Sequence, residues 1–62
     1  MEFNVEKMKL FVKQDLLLKR VFDDMKKNMS KEEALEVVFY SYVFEDFIME
    51  DIYKKIKPSN EN

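Results

Sequence analysis

Apolar positions fall into two blocks on either side of the polar stretch "KKNMSKEE". In the second block, Leu35, Val38, Tyr42, Glu45, Met49, Ile52 and Ile56 follow a 3-4-3-4 spacing. That is the seam of a helix packed on neighbours, and Glu45 is its one charged member. A second stripe, Val37, Tyr40, Phe44, Phe47 and Ile48, lies on another side, with Val43 beside it. Between Ala34 and Met49 only Glu36, Ser41, Glu45 and Asp46 are polar, tyrosine hydroxyls aside. A helix apolar on so many sides must be buried on more than one face. One partner helix within a 62-residue chain is expected to leave the second stripe uncovered, waiting for another chain.

The boundary between the blocks carries the most specific local signal. Asn28 tolerates the left-handed position that ends many helices, and Lys26 and Lys27 suit a helix's negative end. Ser30 and Glu33 have the spacing of a capping box, and Glu32 and Glu33 suit the positive end of the next helix. Glycine is absent and the one proline is Pro58, so nothing else forces an interruption. The expected domain is therefore 1–57: helix one over about 4–28, a turn at 28–30, helix two over about 31–57. Residues 58–62 read as a polar tail. Glu50–Lys54 and Asp51–Lys55 are favourable pairs four apart on the wet side.

Residues 4–14 stay open between two readings. Asn4 can cap a helix, Glu6 suits its first turn, and Phe3 could staple onto Met8. Alternatively, Met8, Leu10 and Val12 alternate with Lys7, Lys9 and Lys13 at the period of a strand, broken only by Phe11. The all-helical reading gives a helical hairpin that pairs into a homodimeric four-helix bundle. The other gives a strand at 8–13 followed by two helices.

Composition narrows the chemistry. There is no cysteine and no histidine, which removes disulfides, thiolate zinc sites, the commonest metal ligand and the usual general base. Without glycine there is no phosphate-cradling loop or dinucleotide fingerprint of the usual kind. Ser30 and Ser41 have no histidine to activate them. The acidic stretch "EDFIMED" puts Asp46 and Glu50 on one helix face, but di-metal bundles pair such carboxylates with histidine. No enzyme, cofactor or metal is expected. At 47% hydrophobic and 39% charged, the chain is too apolar to be disordered and too charged for a membrane span. The opening "MEFNVEKMKLFVK" lacks a signal-peptide pattern, and a cytoplasmic protein is expected.

Charge is uneven. Residues 1–29 carry seven basic and five acidic side chains, a balance of +2; residues 30–62 carry four and eight, a balance of −4. From Lys7 to Arg20 only Asp15 opposes five basic residues.

With a strand at 8–13, "MKLFVKQDLLLKRVFDDMKKNMSKEEAL" resembles the ribbon-helix-helix family over about half of the chain. The resemblance implies an obligate dimer whose paired strands enter the DNA major groove. Lys9, Phe11 and Lys13 would then face DNA, and the acidic stretch Glu45–Asp51 would hold a toxin if the protein were an antitoxin. Asn28 stands where that family usually has glycine. Separately, "VFYS" and "YKKIKPS" are similar to phrases in the Hha-like family of small nucleoid-associated regulators. Their separation here differs by about a helical turn, and on sequence grounds the likeness is set aside as chance.

The leading expectation is a regulatory or adaptor module working as an obligate dimer by protein–protein interaction. Its interface would be Leu35, Val38, Tyr42, Met49, Ile52 and Ile56 with Tyr40, Phe44 and Phe47. Glu45 would select register or partner. The partner is a second copy, with another protein possible on the aromatic face of helix two; nucleic acid enters only in the ribbon reading, and no membrane is involved.

Overall fold

The computed structural model describes residues 1–58, all of whose regular structure is helical. Four α-helices follow in order: α1 Val5–Gln14, α2 Leu16–Met25, α3 Lys31–Val38 and α4 Phe47–Lys55, with a π-helical turn Phe39–Val43 between the last two. The all-α class expected from the pattern is what forms. Its division differs, because each of the two long expected helices is cut by an aspartate. The tail expected at 58–62 lies, from 59 onward, outside the described residues.

Asp15 makes the first cut. Its backbone is extended (φ −118°, ψ 115°), and its own N–H still closes α1 by donating to the Phe11 carbonyl at 3.1 Å. Its carboxylate then accepts the Leu18 N–H at 3.0 Å, capping α2. Aspartate is a weak interior helix residue and a strong cap, so the kink costs little here. The gain is in packing. A straight helix over 4–28 would be about 37 Å long, more than the molecule's longest extent of 32 Å. Folded at Asp15, α1 packs against α2, α3 and α4 at once.

Asp46 makes the second cut with nearly the same backbone (φ −112°, ψ 114°), its carboxylate accepting the Met49 N–H at 3.0 Å. The π-helical turn precedes it, marked by the Phe44 N–H donating to the Phe39 carbonyl five residues back at 2.8 Å. The widened turn holds Phe39 and Val43 both in the core. Its extra residue shifts the register in which α4 starts.

The boundary at 26–30 contains the expected capping box: the Glu33 N–H donates to Ser30 Oγ and the Ser30 N–H donates to Glu33 Oε1, each at 3.2 Å. Asn28 is not left-handed, since no described residue has positive φ. The Lys27 and Asn28 N–H groups instead donate three residues back, to Asp24 and Met25, and tighten the helix end. Asn4 caps α1 as expected, accepting the Lys7 N–H at 2.9 Å, while Phe3 packs edge-on to Phe39. Asp51 pairs with Lys55 at 3.0 Å; Glu50 and Lys54 do not come within 4.0 Å.

Every helix reaches one core: Met8, Phe11 and Val12 from α1, Leu18 and Phe22 from α2, Ala34, Leu35 and Val38 from α3, Phe39 and Val43 from the turn, and Tyr53 from α4. Cutting both long helices brings α1, α2 and α4 around α3 and its π-helical turn, so one side of helix two is covered within the chain, whereas Tyr40, Phe44, Phe47 and Ile48 of the second stripe stay exposed, as expected. The radius of gyration, 10.9 Å, is close to the roughly 10.6 Å of a compact globular chain of this length.

Tyr53, 1% exposed, ties the two ends of the fold together. Its hydroxyl accepts the Asn4 N–H at 2.7 Å and donates to the Glu2 carbonyl at 2.8 Å. Lys7 Nζ sits 4.7 Å from the ring centre. Burial pushes the phenol above its ordinary value of 10.0.

Candidate interaction surfaces

The strand alternative at 8–13 is overturned: those residues lie inside α1. Phe11, 1% exposed, is a core residue and not a DNA contact. Its place on α1 follows from the helical repeat, which puts Met8, Phe11 and Val12 on one face. Lys9 and Lys13 remain on the outside, with no ribbon to carry them.

The expected interface residues separate into three groups. Leu35 and Val38 are fully buried within the chain's own core, so they are not free to meet a partner. Met49, Ile52 and Ile56 are half-buried and pack against that core. Tyr40, Tyr42, Phe44 and Phe47 face solvent, and so does Glu45. The seam read as continuous along one helix is therefore broken at Asp46, and most of it is internal.

What stays outside is an apolar edge. Tyr40 and Phe44 pack on each other at 5.6 Å between ring centres, and both lean on buried Phe39. Beyond them the cap at Asp46 starts α4 with Phe47, 91% exposed, and Ile48, 75% exposed. Carboxylates flank this edge. Asp51 pairs with Lys55, whereas among the described residues Glu45, Asp46 and Glu50 have no cation within 4.0 Å, Asp46 serving as the cap of α4.

A second feature was not foreseen: a groove of about 460 Å³ where α1, α2 and the start of α3 meet. Leu10, Val12, Phe22 and Leu35 contribute its apolar lining. Around it stand Lys9, Lys13, Lys19, Lys26 and Lys31. Asp23 takes up two of them, Lys19 at 2.7 Å and Lys26 at 3.6 Å, and the Lys19 hydrogen bond holds its carboxyl below the ordinary 3.8. Lys9 reaches Glu6 at 3.8 Å. Lys13 and Lys31 have no carboxylate within 4.0 Å among the described residues. The basic run from Lys7 to Arg20 was the sequence signal for this groove. The contributions of Lys26 and Lys31 required the turn at 26–30 to fold them alongside it.

Among the described residues, no three carboxylates gather where a metal ion could sit, and no helix is long and apolar enough to cross a membrane. Comparison with known proteins finds no matching family model, no matching curated protein and no matching solved structure.

Proposed function

We propose that this chain is a small, non-enzymatic regulatory or adaptor module that acts in the cytoplasm by protein–protein contact and works as a dimer. The observation that carries the reading is the edge from Phe44 to Ile48, where three large apolar side chains face water within five residues. Covering a Phe or Ile side chain is worth about 1.5–3 kcal/mol each. Of the interface expected from the sequence, Tyr40, Phe44 and Phe47 remain available and Ile48 joins them, whereas Leu35 and Val38 drop out because they are buried in the chain's own core. Sedimentation should find a dimer at micromolar concentration, and Phe47→Ser with Ile48→Ser should release folded monomer. A wild-type chain that stays monomeric at every concentration would remove the dimer.

A second reading, a nucleoid-associated regulator, is favoured by one observation. The spacing that separates this chain from the Hha-like pattern lies between Ser41 and Tyr53. That interval holds the end of the π-helical turn and the Asp46 break. Length is absorbed in such connections with least disturbance to the flanking helices. A fluorescent fusion in cells would test it: even distribution, with no concentration on nucleoid DNA, would count against this reading. The ribbon-helix-helix repressor or antitoxin is not carried forward, because the strand it requires is a helix here.

A further inference from the structure

We infer that the acidic apolar edge of one copy seats in the lysine-rimmed groove of a second copy. This rests on the reading of Phe44–Ile48 as a docking edge and adds the identity of its receptor. The groove offers half-buried Leu10 as its open apolar side chain, above Val12, Phe22 and Leu35 of the core, and a rim of lysines, so an occupant needs an apolar group and carboxylates. The chain carries a segment of that description, "FEDFIMED", residues 44–51. Its exposed apolar groups are Phe44, Phe47 and Ile48.

The charges left over on the two surfaces are opposite in sign. Among the described residues, Lys13 and Lys31 are the groove's lysines without a carboxylate partner within 4.0 Å, and Glu45, Asp46 and Glu50 are the edge's carboxylates without a cation, Asp46 also serving as the cap of α4. Complementary potentials of this kind set register and suppress wrong partners. Glu45 thereby acquires the selecting role that its place in the apolar pattern suggested. The chain does not fill its own groove, since Phe47 stands 91% exposed. The contact is between two different patches, so it closes into a dimer only if both copies engage reciprocally, and otherwise extends.

The test uses two full-length variants with substitutions at exposed positions, each checked for retained helicity. Lys13→Glu with Lys31→Glu disables the groove and leaves the edge intact. Phe47→Ser with Ile48→Ser does the reverse. Each variant alone should associate at least about tenfold more weakly than wild type, a loss of about 1.4 kcal/mol or more. Mixed in equal amounts they should associate again, because the intact edge of one meets the intact groove of the other. If the edge variant dissociates but the lysine variant pairs like wild type, the groove is not the receptor, while the edge reading survives. If neither variant changes association, or the wild type never associates, both fall together. Failure of the mixture to recover, with both variants dissociated, also overturns face-to-groove pairing.

Discussion

Asp15 and Asp46 interrupt the chain with the same local device. Their backbones agree within a few degrees, and each carboxylate accepts the N–H three residues ahead. Each is followed by two solvent-facing apolar residues, Leu16 and Leu17 after the first, Phe47 and Ile48 after the second. Their surroundings are opposite. Lys13, Lys19 and Arg20 flank the first pair, whereas Glu45, Glu50 and Asp51 flank the second. The approach also differs: α1 runs to Gln14 and stops at once, while α3 passes through the π-helical turn before Asp46. A capping aspartate decides where a helix restarts. What that restart offers to other molecules depends on the charges around it, and the two breaks therefore leave a basic side and an acidic side on one small molecule.

The sharpest way to break the comparison is through the core under the second interruption. Phe39, fully buried, heads the π-helical turn before Asp46, whereas Phe11, the buried phenylalanine before Asp15, lies within regular α1. Phe39→Ala should cost about 3–5 kcal/mol, enough to leave so small a domain largely unfolded in water, as urea titration by circular dichroism would show. Retention of a cooperative transition within 1 kcal/mol of wild type, on the order of a surface substitution, would mean that the turn is not held by packing.

Tyr53 comes next, because it fixes α4 to the start of α1. Tyr53→Phe removes both hydroxyl bonds and leaves the Asn4 N–H without that partner, a loss of about 1–3 kcal/mol. The same hydroxyl gives a pH signature. Its folded pKa is raised by burial, so its contribution is fully present below the ordinary value of 10.0 and declines as pH climbs from there toward the folded value. Wild type should lose stability over that alkaline window by more than Tyr53→Phe does. Parallel pH curves for the two proteins would contradict the buried, hydrogen-bonded phenol.

The smallest effect addresses the two breaks themselves. Asp15→Ala and Asp46→Ala should each cost about 1 kcal/mol, the usual worth of an N-cap. Equal losses in thermal melts would support the likeness. A much smaller loss at Asp46 would show that the π-helical turn, absent at Asp15, already directs the chain out of α3.

Much of the secondary structure was legible locally. The Ser30–Glu33 box needs only neighbours along the chain, and helix propensity without glycine does much of the rest; α1 stayed open because Met8, Leu10 and Val12 also keep a period of two. The two aspartate cuts were not legible. An aspartate within an apolar helix pattern is compatible with either a solvated interior position or a cap, and the difference in local free energy is small. The Glu50–Lys54 pair misled for a similar reason: the spacing permits an ion pair without requiring one.

The sequence by itself determined that the chain beyond residue 14 is helical, where its middle turn falls, and that it carries a basic half and an acidic half. These are properties of residue type and short spacing. Tertiary structure alone decided which apolar residues face inward, because burial depends on how α1, α2 and α4 are brought around α3. Tyr53 illustrates the limit. Its hydroxyl partners lie 49 and 51 residues away, at Asn4 and Glu2, and no local pattern records a contact of that range. The groove is the same case, since its five lysines come from three helices and the turn at 26–30, which meet only after the chain has folded.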